Sequence, residues 1–126
     1  MKLTLGKMIS ALTSGSLARL ARLDLPVKTS YEHNKTAKAA FAESTVYDER
    51  RMVLLTKYGT PIEGTPNFTI HDVPAYNGDL EVLHSIEVDL PGEPIKLSEV
   101  LAAKEGRLVP DDFNRLLDTF IIKDVP

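Results

Sequence analysis

No cysteine occurs in this chain of 126 residues. Disulfides and thiolate metal sites are therefore excluded, and a reducing compartment is the natural setting. Tryptophan is absent as well. No run approaches the ~18 apolar residues that a bilayer-spanning helix requires, which removes the integral membrane proteins. The seven glycines are scattered one to a turn, so neither a phosphate-cradling loop nor a dinucleotide fingerprint exists. No Gly-x-Ser-x-Gly turn is present to expose a nucleophile. The histidines, His33, His71 and His84, form no two-histidine helical motif. Their local acidic neighbours, Glu32 and Asp72, are adjacent in sequence and so point to other faces. An enzyme would need a pocket that draws together groups such as His84, Asp79 and Glu81. The expectation is of no catalytic activity, no metal and no cofactor.

What is present is the material of one globular domain. Hydrophobic residues make up 43% and charged residues 26%, too apolar and too weakly charged overall for a disordered chain. At this length folding buries about two thirds of the surface of the unfolded chain. The net charge of −3 conceals an asymmetry. Residues 1–57 carry ten bases against five acids, whereas residues 58–126 carry five against thirteen. Either the acidic half folds back on the basic half or copies pair head to tail.

Along the chain, Leu5, Ile9, Leu12, Ser16, Leu20 and Leu23 recur at helical spacing. They predict a helix over 6–23, bent at Ser14-Gly15-Ser16, with Leu17, Leu20 and Leu23 packed inward and Arg19 and Arg22 pointing out. Its acid-free, Arg- and Ser-containing character resembles a targeting peptide, but Lys7 interrupts the apolar run and no small-residue cleavage site follows. A surface membrane helix would want an aromatic anchor that this segment lacks. From Val27 to Tyr58 there is no Gly or Pro, which predicts one long helix of ~48 Å. Its apolar face would comprise Tyr31, Ala37, Ala40, Phe41, Ser44, Tyr47, Met52, Leu55 and Tyr58.

The breakers of residues 59–66 end that helix, and Phe68-Thr69-Ile70 reads as a short strand. Asp72 can cap a third helix despite the unfavourable Gly78. Ile86, Val88 and Leu90, turned by residues 91–94 into Ile95-Lys96-Leu97, predict a β-hairpin. Ser98 begins a short helix, and Pro110, Asp111 and Asp112 open a last one bearing Phe113, Leu116, Leu117 and Phe120. The predicted class is α+β. An antiparallel helical hairpin spans residues 1–58, and a small acidic module with a short β-hairpin and short helices spans 59–126, the two forming one compact domain.

Leu25-Pro26-Val27-Lys28, the cluster Tyr47-Asp48-Glu49-Arg50-Arg51, the closing Leu54-Leu55-Thr56-Lys57-Tyr58-Gly59, and downstream Tyr76-Asn77-Gly78-Asp79-Leu80 and Ile86-Glu87-Val88-Asp89-Leu90 follow one another in an order similar to that of small uncharacterised bacteriophage proteins. The likeness covers about residues 1–120 and departs at Gly78 and over 101–108. It implies a phage or prophage origin and brings no catalytic residue with it.

These readings lead to a non-enzymatic phage protein-protein interaction or assembly protein, including a virion component, located in the bacterial host cytoplasm or the virion. Its contact residues would be Tyr31, Phe41, Tyr47, Arg50, Arg51, Leu55 and Tyr58, meeting a protein partner or a second copy. The alternative is an accessory protein that binds and inhibits a host factor, or holds a small ligand between the helical hairpin and the acidic module. Nucleic acid is disfavoured because the aromatics beside the basic residues follow the apolar side, where core packing accounts for them, and because the isoelectric point is near 5.6.

Overall fold

A computed structural model describes residues 1–104, 106–119 and 121–124. The elements run β1 (Lys2–Thr4), α1 (Leu5–Thr13), α2 (Ser16–Ala21), α3 (Val27–Tyr58), β2 (Gly59–Pro61), β3 (Phe68–Ile70), α4 (Val73–Ser85), β4 (Glu87–Asp89), β5 (Ile95–Lys96), α5 (Leu97–Ala102), α6 (Pro110–Asp118) and β6 (Ile122–Lys123). The fold is α+β, with one long helix following short ones and small two-stranded sheets beside them.

The first arm is two helices rather than one bent helix. Gly15 adopts φ 83°, a left-handed conformation that L side chains rarely take, and it separates α1 from α2. The Ser14 hydroxyl donates to the Ala11 carbonyl and sits 3.0 Å from the Ser16 hydroxyl, so the break is held by side chains. Thr4 starts α1 by accepting from the Lys7 backbone N–H. Leu5, Met8, Ala11, Leu17, Leu20 and Leu23 are all buried, and α1 and α2 both pack on α3.

Helix α3 has the predicted bounds. Pro26 precedes it and Gly59 leads straight into a strand, so a run free of breakers becomes 32 residues of continuous helix. Its buried residues are few, Ala40 and Tyr47 with the polar His33 and Thr36. The first arm and the second half supply most of the rest, including Leu83, Val88, Leu90, Ile95, Val100, Leu116, Ile121 and Ile122.

The strands pair differently from expectation. Residues 86–97 do not form a hairpin. Instead β4 pairs antiparallel with β1, Leu3 opposite Val88, and β5 pairs parallel with β6, Ile95 opposite Ile122. Pro91 and Pro94 remove two backbone donors from the segment between them, and the Thr36 hydroxyl donates to the Pro91 carbonyl at 2.6 Å, holding the turn against α3. The fold's hairpin lies earlier, where β2 and β3 pair with Thr60 opposite Thr69. Asp72 caps α4 as predicted, accepting from the Ala75 N–H. Phe120, expected on the last helix, lies outside the described residues.

The acidic half folds back on the basic half. Lys7–Asp118, Arg19–Asp112 and Lys57–Asp79 each join a cation of residues 1–57 to an acid beyond them. The Arg19–Asp112 pair also corrects the expectation that Arg19 points freely outward. Its guanidinium donates to both Asp112 carboxylate oxygens at 2.6 Å, while Arg22 is exposed.

Candidate functional site

The residues expected to form one contact face divide between two sides of α3. Tyr31 and Tyr47 lie sixteen positions apart, and at 100° per residue that turns them about 160° from each other. Tyr47 is buried against α4, where its hydroxyl lies 2.8 Å from Nε2 of His84 and the two rings stack with centroids 5.6 Å apart. Burial raises the Tyr47 phenol above its ordinary pKa. Tyr58 is half-buried and donates to Asp79 at 2.6 Å, with the Lys57 ammonium 5.0 Å from its ring centroid. Leu55 is half-buried on the same side, whereas Arg50 and Arg51 are exposed.

Tyr31 and Phe41 face the other way and are 63% and 67% exposed. This overturns their placement in the packed face of α3. Val27, Val46, Met52 and Val53 are exposed along with them. The outward side of α3 therefore displays large apolar groups along most of its length, punctuated by Lys35, Lys38, Asp48 and Glu49, all exposed. The Lys35 ammonium lies 5.5 Å from the Tyr31 ring centroid. Beside this stripe runs a groove of about 420 Å³, in which Leu12, Leu17, Ala18 and Ala21 face Ala37 and Phe41.

Sequence reasoning missed Val27, Val46, Val53 and the charges interleaved with them. A strict 3.6-residue projection of 27–58 would have found them, since it separates the Tyr47–Tyr58 side from the Tyr31–Glu49 side. A looser spacing of three to five positions merges the two sides into one face.

The groups that could have marked an enzyme do not meet. Asp79 is bound to Tyr58, His84 to Tyr47, and Glu81 is exposed. Asp79 and His84 lie five residues apart on α4, about 7.5 Å along its axis, and each is engaged by a different tyrosine of α3. His33 is buried with Nε2 3.3 Å from the Leu17 carbonyl, and its pKa is lowered by burial. Among the described residues no group of three or more His, Asp or Glu stands together where a metal ion could be held.

The chain also has a cleft of about 700 Å³ where the start of α3 meets the turn before β5 and the body of α5, lined by Lys28, Glu32, Glu93, Ile95, Glu99 and Lys123 among others. The Thr29 hydroxyl donates to Glu99 across one wall at 3.2 Å.

No family model matches this chain. Neither a curated protein nor a solved structure does. Among the described residues no helix is long and apolar enough to cross a membrane.

Proposed function

We propose that this is a non-enzymatic protein-protein interaction or assembly protein, working in the phage setting that its sequence resemblance implies, in the bacterial host cytoplasm or the virion. Its working surface is the outward side of α3. One observation carries this reading: Val27, Tyr31, Phe41, Val46, Met52 and Val53 are each about half exposed or more on a single helix. Isolated apolar residues on a surface need no explanation, but six of them along one side of one helix, bordered by a largely apolar groove, are the character of a surface made to be covered. Tyr and Phe bring large contact area at small loss of side-chain freedom, as in binding surfaces generally.

Exposure of Tyr31 and Phe41 removes one of the two grounds for disfavouring nucleic acid, since the core does not account for them, and leaves the isoelectric point near 5.6. Two features still speak for protein. Asp48 and Glu49 stand on the same stripe as Lys35 and Lys38, and Phe41 borders a groove lined mostly by Leu and Ala, with Asn34 and Lys38 at its wall, rather than a channel of cations.

The test is site-specific photo-crosslinking in cells expressing the full chain. A photoreactive residue at position 31 or 41 is expected to yield a discrete adduct with polypeptide, and one at the exposed Glu63 none. Absence of any adduct at 31 and 41 refutes the reading.

A second reading, as an accessory protein that blocks a host factor or holds a small ligand, draws support from the 700 Å³ cleft, whose walls carry charges of both signs. A small zwitterion would suit it. Thermal shift across a panel of such compounds, lost in Lys28→Ala and Glu99→Ala, tests it.

A further inference from the structure

The charges on the outward stripe of α3 are not scattered. Lys35 and Lys38 lie on its N-terminal part and Asp48 and Glu49 on its C-terminal part, and among the described residues Lys38, Asp48 and Glu49 form no ion pair. Between them the stripe carries the exposed Phe41 and Val46 with the small Ala42 and Thr45, an uncharged middle on which another helix can pack. Such an arrangement is complementary to itself when reversed. A twofold axis passing between two copies of α3, level with Glu43 and Ser44, sets Lys38 of one copy opposite Glu49 of the other, with Asp48 next to that Glu49 in the chain. The same axis sets Ala42 opposite Thr45 and Tyr31 opposite Thr56. Parallel pairing would instead oppose lysine with lysine.

We infer that the occupant of this surface is a second copy of the same chain, with the two α3 helices packed antiparallel about that axis. The inference rests on the reading of α3 as an interaction surface and names its partner. Closed twofold pairing uses one patch twice, and a patch with opposite charges in its two halves and an uncharged middle meets that condition. The charge pairs set register and direction, while burial of Tyr31, Phe41, Val46, Met52 and Val53 drives association. From Tyr31 to Thr56 the stripe is about 38 Å long. A single helix pair of that length falls near the lower end of stable interface sizes, so association is expected at about 1–100 µM.

Sedimentation velocity on the full chain over about 1–300 µM tests this, together with two charge-reversed chains. One carries Lys35→Glu and Lys38→Glu, the other Asp48→Lys and Glu49→Lys. All four positions are exposed, so circular dichroism should report native helix content in both. The unaltered chain is expected to dimerise, each reversed chain to bind itself at least about tenfold more weakly, and an equimolar mixture of the two to form a heterodimer of restored affinity. Dimerisation of both reversed chains at unchanged affinity, or a mixture that stays monomeric, overturns the antiparallel pairing. A monomeric unaltered chain that crosslinks at position 41 to a different polypeptide overturns self-pairing and leaves the interaction reading standing. A monomer with no adduct overturns both. Salt-sensitive binding of a single-stranded oligonucleotide by a monomer, abolished by the Lys35 and Lys38 reversals, would overturn them in favour of nucleic acid.

Discussion

Replacing Asp112 should unfasten the last helix from the first arm. Its carboxylate is fully buried and accepts from the Ser16 hydroxyl at 2.6 Å, from Arg19 Nε and Nη2 at 2.6 Å each, and from the Val109 N–H at 3.0 Å. Removing one partner of a buried pair costs about 3–5 kcal/mol because the other charge is stranded. Here the Arg19 side chain is 35% exposed and can rehydrate, so the lower end applies. In Asp112→Ala the Ser16 hydroxyl keeps a 3.1 Å contact from Arg115, and the estimate is about 3 kcal/mol. For a chain of 126 residues that lowers the melting midpoint by about 11 °C. Asp112→Asn keeps the shape but turns an amide N–H₂ toward the Arg19 guanidinium, and should lose about 2 kcal/mol.

The pH profile adds a second readout. The Arg19 hydrogen bonds, helped by those from Ser16 and Val109, outweigh burial and hold the Asp112 carboxyl well below its usual value of 3.8. Because the folded value is depressed, this stabilisation is full above about pH 4 and is lost as pH falls below that toward the folded value. Urea denaturation followed by far-ultraviolet circular dichroism should therefore show a steeper loss between pH 4 and pH 2 in the unaltered chain than in Asp112→Asn. If Asp112→Asn lies within about 0.5 kcal/mol of the parent at pH 7 with the same acid slope, the pair behaves as a surface ion pair and the reasoning fails.

Two glycine replacements should act in opposite directions. Gly78 lies within α4 and a Cβ there meets nothing within 4 Å, so Gly78→Ala should stabilise by about 0.9 kcal/mol, raising the midpoint by about 3 °C in calorimetry. A Cβ at Gly6 would stand 2.9 Å from the His84 Cβ, so Gly6→Ala should destabilise by about 1–3 kcal/mol in the same measurement. Burial lowers the His33 pKa from its ordinary 6.5, so as pH falls below that value the unfolded chain gains a proton before the folded one does. Stability should then fall by up to about 1.4 kcal/mol per pH unit, a component that His33→Gln lacks when both are denatured at pH 7 and pH 5.5.

Much of the local structure was legible because its causes are local. The bounds of α3 follow from Pro26 and Gly59 enclosing a breaker-free run, and the start of α4 follows from a capping Asp72. The burial of Leu17, Leu20 and Leu23 follows from their spacing. The outward stripe was in principle legible too, because helical angle depends on sequence position alone.

Other features depend on residues that sequence distance hides. Strands of two or three residues carry too little pattern to name a partner, so β4 joining β1 and β5 joining β6 emerged only in three dimensions. Asp112 opens α6 as its position implies, accepting from the Val109 N–H, but the sequence does not show that its carboxylate also binds Ser16 and Arg19, 96 and 93 positions away. Periodicity can show that α3 has distinct sides, but not which side the rest of the chain covers. That choice belongs to the packing of α1, α2 and α4, which claim the Ala40–Tyr47 side and leave Tyr31 and Phe41 to the outside, because a helix can bury only the face that its neighbours reach.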